Sequence, residues 1–281
     1  MGSGRDLCYT VFLKGNTMAL TFIPLFSGSS GNATLVCSGR TKVLIDAGVS
    51  GSRLEEALAG AGEDIRDVRG ILITHEHNDH IAGAGVLSRK HNIPIYATDG
   101  TWQAGVKKLG SVHPRHVRII DKTEFFIDDL LVEPFAIPHD AAEPVGYCVS
   151  SGNRRVAVAT DLGWFPQSVE YRLHKCDLVL LEANHDVNML VAGRYPRSLK
   201  ERIRSRSGHL SNDEAGDAAV KLVAAGVTSI LLGHLSRENN EEPIAYRTVT
   251  EALLAQGIKP GRDMSLGVAF RDQVTGRFEV K

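Results

Sequence analysis

Thr74-His75-Glu76-His77-Asn78-Asp79-His80 is the stretch that decides the reading of this chain. It follows the apolar run Gly70-Ile71-Leu72-Ile73 and precedes a helical pattern over residues 81–90, so three imidazoles and the Asp79 carboxylate crowd into one strand-to-helix turn. Imidazole nitrogen and carboxylate oxygen are the donors that Zn²⁺, Mn²⁺ and Fe accept at catalytic sites. One ion cannot take His75, His77, Asp79 and His80 from so tight a turn. Two adjacent ions can, with His75 and His77 serving the first and Asp79 and His80 the second.

Working outward, β-branched runs predict strands over 33–37, 42–46, 70–74, 130–137, 145–149 and 154–160, with helices over 53–61 and 81–90. A second round follows, with strands over 178–182 and 229–232 and helices over 213–225 and 244–256. Two similar strand-then-helix halves predict an α/β chain folded as an αββα sandwich of two mixed sheets with outer helices. Domain-like sequence opens at Met18 with the alternating run Thr21-Phe22-Ile23-Pro24-Leu25-Phe26 and is expected to form one domain over 18–281. Residues 1–17 read as a flexible extension or a cloning remnant. With 281 residues, 43% of them hydrophobic, the chain can bury a large core. Its net charge of −1 means that any nucleic acid must be met by a local basic patch. No apolar run reaches the ~18 residues of a membrane span, no signal peptide is evident, and no feature specifies an oligomeric state. The cysteines, Cys8, Cys37, Cys148 and Cys176, form no C-x-x-C pair and read as reduced thiols of a cytoplasmic protein.

The H-x-H-x-D-H pattern resembles the metallo-β-lactamase superfamily, whose fold is the sandwich inferred above. That resemblance directs attention to polar residues that end strands. His139 follows Phe135-Ala136-Ile137-Pro138 and suits the first metal; Asp161 ends the run Val156-Ala157-Val158-Ala159-Thr160 and would bridge both; His234 follows Ile230-Leu231-Leu232-Gly233 and suits the second. Asp46 matches the superfamily's early aspartate, which orients ligands from behind. Two metals about 3.5–4 Å apart convert a bridging water into hydroxide and hold a phosphoryl or carbonyl oxygen. The motif leaves the substrate open among lactams, thioesters, lactones and phosphodiesters.

The second half narrows it. Gly208-His209-Leu210-Ser211-Asn212 opens a helix, and Gly233-His234-Leu235-Ser236 repeats the His-x-Ser pattern, an anion-binding arrangement that nominates Ser211 and Ser236 as substrate contacts. Glu182 is placed to hold His209 protonated near a leaving oxygen. Residues 194–206 carry six basic side chains against one acidic; Arg194, Arg202, Arg204 and Arg206 are read as a phosphate track leading to His209. The turn Ser27-Gly28-Ser29-Ser30-Gly31-Asn32 offers Ser29, Ser30 and Asn32 to an anion.

Several phrases narrow the resemblance further: Ser-Gly-Ser-Ser-Gly-Asn-Ala (27–33), Pro-His-Asp-Ala (138–141), Ala-Thr-Asp-Leu-Gly (159–163), Leu-Glu-Ala-Asn-His-Asp (181–186), Gly-Arg-Tyr-Pro (193–196) and His-Leu-Ser-Arg-Glu-Asn-Asn (234–240). With the histidine turn they resemble the YycJ/WalJ family over roughly residues 18–270. The resemblance implies a metal-dependent nuclease of the bacterial cytoplasm that digests DNA from 5′ to 3′, with two divalent ions (Zn or Mn) on His75, His77, Asp79, His80, His139, Asp161 and His234. His209 falls where related tRNA-processing nucleases carry a catalytic histidine. The catalytic set is therefore His209, Asp79 and Glu182, and the partner is nucleic acid, DNA before RNA, with no membrane. An RNA-processing nuclease, a cyclic phosphodiesterase on the same centre and a regulatory binding module with little activity are the alternatives. The basic stretch argues against an acyl substrate.

Overall fold

A computed structural model describes residues 19–280. The extension over 1–17, the start at Met18 and Cys8 lie outside the described residues.

The first half of the chain builds one sheet. Its strands are β1 (Leu20–Gly28), β2 (Gly31–Cys37), β3 (Lys42–Ile45), β4 (Val68–Leu72), β5 (Ile95–Thr98) and β6 (Val117–Ile120), interleaved with helices α1 (Gly51–Gly60), α2 (Asn78–Ile81), α3 (Ala84–His91) and α4 (Asp99–Leu109). The second sheet holds β7 (Phe125–Ile127), β8 (Leu130–Ala136), β9 (Val145–Ser151), β10 (Arg154–Ala159), β11 (Leu178–Glu182), β12 (Ser229–Gly233) and β13 (Ser265–Val268). Between them run α5 (Gln167–Leu173), α6 (Val187–Ala192), α7 (Arg197–Ile203), α8 (Asn212–Ala224) and α9 (Glu242–Ala255). The last strand, β14 (Phe278–Val280), returns to the first sheet and pairs antiparallel with β1, Leu20 opposite Val280.

Each sheet is mixed, with strand orders β14-β1-β2-β3-β4-β5-β6 and β13-β12-β11-β10-β9-β8-β7. Side-chain alternation sorts the core into three layers. Phe22, Val43, Leu72, Val158 and Leu180 fill the space between the sheets. Their neighbours Ile23, Leu44 and Ile71 face α1, α3 and α4, whereas Val179 and Leu181 face α5, α8 and α9. Strands buried on both faces are apolar throughout, which explains why the central runs read as continuous rather than alternating. This is the expected αββα sandwich.

Parallel pairing of β3 with β4, of β10 with β11 and of β11 with β12 brings the carboxyl ends of these strands to one edge of the sandwich. A cleft of about 720 Å³ at the opposite edge, lined by Asp177, Ser229, Ser265 and Val280 among others, holds none of the histidines.

Two sequence expectations shift. The strand predicted over 70–74 spans 68–72, because the Thr74 N–H leaves the ladder to donate to Asp46 Oδ1 at 2.8 Å. The helix predicted over 81–90 is broken into α2 and α3 at Gly83, whose position tolerates no side chain: a Cβ there would sit 2.3 Å from the Val49 carbonyl oxygen. Among the described residues no helix is long and apolar enough to cross a membrane.

Candidate metal centre and active site

Every ligand-type residue nominated from the sequence stands in a loop or short helix just beyond the carboxyl end of a strand. Asp46, Asp161 and His234, which follow β3, β10 and β12, all adopt left-handed backbone conformations, with φ of 61°, 62° and 56°. Such a conformation is uncommon for residues with a Cβ and turns the chain sharply, aiming the side chain inward instead of along the strand. Beyond β4, His77 caps the short helix α2, which lifts Asp79 and His80 to the same cavity.

The donors fall into two overlapping groups. His75, His77 and His139 present ring nitrogens within 4.8 Å of one another, as do the donor atoms of Asp79, His80 and His234. His139 Nε2 is 3.2 Å from His77 Nδ1. Asp161 stands between the groups, its Oδ2 3.3 Å from His80 Nε2 and its Oδ1 3.7 Å from His139 Nε2 and 3.6 Å from His234 Nε2. Asp79 Oδ2 lies 3.5 Å from both His80 Nε2 and His234 Nε2.

His75, His80, His139, Asp161 and His234 are buried, yet His75 Nε2, His234 Nε2 and Asp161 Oδ2 have no hydrogen-bond partner. Orphaned buried polar atoms are rare because each forfeits its hydration, so three of them converging on one space call for a ligand. The set is all nitrogen and oxygen, which suits divalent transition metals. The residues present therefore fit a pair of such cations.

The charges agree. Burial, followed by the neighbouring His80, His139 and His77, drives the His75 pKa well below its ordinary value, leaving the neutral ring that a metal needs. Burial works against protonation of His80 too, but Asp161, Asp46 and Asp79 outweigh it and hold its pKa well above the ordinary value. His234 is likewise pushed up to about 10, against its burial, chiefly by Asp161. Asp79 is held far below the usual carboxylate range despite burial, by His80 and His234.

Supports behind the donors fix ring orientation. Asp46 Oδ2 takes the Nδ1 hydrogen of His80 at 2.8 Å, and the Thr74 hydroxyl lies 2.9 Å from the same oxygen and 3.0 Å from His75 Nδ1. Glu182, wholly buried, serves two rings: Oε1 lies 2.8 Å from both His209 Nδ1 and His234 Nδ1, while Oε2 accepts the Leu162 and Leu210 N–H groups at 2.7 and 3.1 Å. Its four hydrogen bonds and the adjacent imidazoles overcome burial and hold it ionised, below the usual range. The mouth is a cavity of about 340 Å³ lined by Ser29, His77, Asn78, Asp79, Asp161, Arg202, His209 and His234.

A model of the beta-lactamase superfamily domain matches residues 41–234. Exodeoxyribonuclease YycJ of Bacillus anthracis is 39% identical over 246 residues, covering 87% of this chain and 93% of that protein. Exodeoxyribonuclease WalJ of Streptococcus pneumoniae is 39% identical over 251 residues, 88% of this chain and 91% of that protein. The chain belongs to the β-lactamase superfamily and, within it, to the YycJ/WalJ family. It is a hydrolase of the metallo-β-lactamase fold. The crystal structure of YhfI from Bacillus subtilis, at 17% identity, covers 93% of this chain and all of its own with a TM-score of 0.69, a likeness of fold.

For this YycJ/WalJ-family chain the nominated substrate contacts divide. Ser29 and Arg202 line the cavity, Arg202 being paired with Asp140 at 2.5 Å. Ser30 and Arg194 are exposed outside its lining. Three others have partners of their own within the fold. Asn32 is buried, its Oδ1 accepting Gly28 N–H at 3.0 Å and its amide nitrogen 3.2 Å from His80 Nε2, so it closes the β1–β2 turn against the ligands. The Ser211 hydroxyl caps α8 in a reciprocal box with Glu214. Ser236 Oγ accepts the Asn239 N–H at 3.2 Å inside its own turn. Both hydroxyls are buried and engaged. In the basic run, Arg204 lines a separate groove with Val191 and Arg197, and Arg206 lies over the Trp164 ring at 4.3 Å.

Sequence reasoning missed the supports. Thr74, Ser27 (whose Oγ accepts His234 N–H at 3.0 Å) and Asn184 (which donates to the His234 carbonyl at 3.0 Å) hold the ligands from behind. Each stands inside one of the quoted phrases, the one signal available. His185 is buried with an unpartnered Nδ1, and burial lowers its pKa to about 4.

Proposed function

We propose that the chain is a metal-dependent nuclease of the cytoplasm that removes nucleotides from DNA, working from the 5′ end, with DNA preferred to RNA. The observation that carries this reading is the convergence of His75 Nε2, His234 Nε2 and Asp161 Oδ2 as orphaned buried donors beside a histidine held by a carboxylate. The family relatives named exodeoxyribonucleases support the choice of DNA. Free, buried Cys37, Cys148 and Cys176 support a reducing compartment.

His75, His77 and His139 would hold one ion, Asp79, His80 and His234 the other, and Asp161 both. When bound, a pair of Zn²⁺ or Mn²⁺ ions supplies an activated water and neutralises charge on the phosphate. The protein's own part lies in the proton. A carboxylate held ionised can only accept, so Glu182 takes the Nδ1 hydrogen of His209 and leaves its Nε2–H as the donor toward the cavity. From the wall of the cavity His209 protonates the leaving sugar oxygen, while Glu182 stabilises the charged ring that donates. Arg202 and Ser29, which line the same cavity, orient the phosphate.

The test is cleavage of DNA and RNA oligonucleotides labelled at either end, single- and double-stranded, by protein loaded with Zn²⁺ or Mn²⁺. Expected are chelator-sensitive release of mononucleotides from the 5′ end of DNA and a His209→Ala protein that keeps its metal and its DNA affinity but loses turnover by 10²-fold or more. Absence of chelator-sensitive cleavage, or full turnover by His209→Ala, overturns the reading; faster hydrolysis of RNA or cyclic nucleotides reassigns the substrate.

A further inference from the structure

Three loops that carry site residues are fastened together by backbone hydrogen bonds. Gly163 N–H donates to the Pro138 carbonyl at 2.8 Å, and Asp140 N–H donates to the Ser207 carbonyl at 3.0 Å. His139 Nδ1 sits 3.2 Å from the Gly208 carbonyl oxygen. The approach at Gly163 is closer than any side chain allows: a Cβ there would lie 2.3 Å from the Arg206 carbonyl. His139, Asp161 and His209 thus ride on one rigid assembly, and that assembly carries a further feature that their chemistry does not use.

Trp164 stands three residues after Asp161, so its Cα is within about 10 Å of the aspartate's. It is one of the few large apolar side chains left on the surface, 38% exposed. The exposed Arg206 lies over its ring, guanidinium carbon 4.3 Å from the centroid, three residues before His209. An indole with a guanidinium stacked on it, both open to solvent, offers a flat π-surface and a positive charge together. Proteins bind the bases and backbone of single-stranded nucleic acid with this combination, without reading sequence.

We propose that Trp164 and Arg206, on the loops that carry Asp161 and His209, form a stacking platform for a nucleobase of the strand being cleaved. The inference rests on the nuclease reading and adds a substrate class: an end with an unpaired base. A paired base keeps its faces stacked within the duplex and cannot occupy the platform, so blunt duplex ends must fray before cleavage.

The test uses full-length protein in a Trp102→Phe background, leaving Trp164 as the sole indole because the chain has 2 tryptophans. Oligothymidine with non-cleavable phosphorothioate links should quench its emission, and the same oligomer with abasic sugars should not. In cleavage assays Trp164→Ala should raise KM for base-bearing single strands about 5- to 100-fold, the size of one lost stack. KM for abasic ends should stay unchanged, and Trp164→Phe should recover most of the loss. Equal losses on base-bearing and abasic strands would assign Trp164 a structural role and overturn the platform. So would the absence of base-dependent quenching, a readout independent of cleavage. Failure to cleave any DNA, with base-dependent quenching intact, would overturn the nuclease reading and leave the platform standing.

Discussion

Glu182 Oε1 accepts the Nδ1 hydrogen of His209 across 2.8 Å, inside a part of the fold where that carboxylate has no exposure to water. The same oxygen meets His234 Nδ1 at 2.8 Å, so one buried group orients both rings. Glu182→Gln keeps the shape but puts an NH₂ where either two imidazole N–H groups or two backbone N–H groups need an acceptor. Turnover should fall 10- to 100-fold or more, with weaker binding at the Asp79–His80–His234 position. Metal content by elemental analysis, measured beside turnover, checks both effects; full occupancy and full turnover would deny Glu182 its role.

Removal of the metals should be felt as loss of stability. The loaded protein gains RT ln(1 + [M]/Kd) for each ion, about 2.7 kcal/mol when the free metal stands at 100 times Kd. Stripped protein should therefore melt lower, and its melting point should rise in two steps as Zn²⁺ or Mn²⁺ is restored. Loss of Asp161 should remove both steps, and loss of His139 only one. A single step at a one-to-one ratio would limit the centre to one ion.

The division of the basic run leads to a split between two arginines. Arg202 lines the cavity beside His209, whereas Arg204 lines another groove. Arg202→Ala should weaken DNA binding and reduce the slope of log K against log [salt] by about 1. Arg204→Ala should leave that slope unchanged. Binding isotherms at several salt concentrations separate the cases, and equal slopes for the two variants would restore the continuous track.

Ser211 offers a test of a cap against a substrate contact. Its hydroxyl accepts the Glu214 N–H at 3.2 Å, and Glu214 returns a bond to the Ser211 N–H at 2.8 Å. Ser211→Ala should cost about 1 kcal/mol of folding stability. KM for DNA should stay within about twofold of the parent. A raised KM with an unchanged melting point would return Ser211 to the substrate.

The clustering of His and Asp side chains was legible because an apolar run ending in His or Asp shows both where a strand stops and what it offers. Ile71-Leu72-Ile73 before His75 and Ile230-Leu231-Leu232 before His234 are two cases. Side chains whose roles depend on partners distant in sequence were harder. Asn32 carries no mark of the His80 ring it meets 48 positions later. Ser211 did carry a signal, since Ser-x-x-Glu ahead of a helix is a capping signature, but the neighbouring His209 invited a chemical reading instead. Helix α7 was read as a charged track because Leu199 and Ile203 are its only large apolar residues, too few to display a helical period. Edge strands β13 and β14, short and only partly buried, show neither alternation nor a continuous apolar run.

The last strand also explains a pH effect remote from the metals. Arg277, just before β14, bonds the Glu63 carboxylate, which Lys42 at the start of β3 meets from the other side at 2.7 Å. Burial pushes the Glu63 pKa up, but the hydrogen bonds from Lys42 and Arg277 outweigh it, leaving the pKa below its ordinary 4.5. A carboxyl with a lowered folded pKa contributes stability that is fully present above the unfolded value and is lost as pH falls through the folded one. Wild type should therefore be more stable than Glu63→Gln at pH 7, and the gap should close as pH falls below the ordinary 4.5 and through the lowered folded pKa. Protonation of the histidine cluster destabilises both proteins alike and cancels in their difference, so paired melting curves isolate Glu63. A gap that stays constant from neutral pH into acid would show that the carboxylate's charge is not what fastens the chain's end to the first sheet.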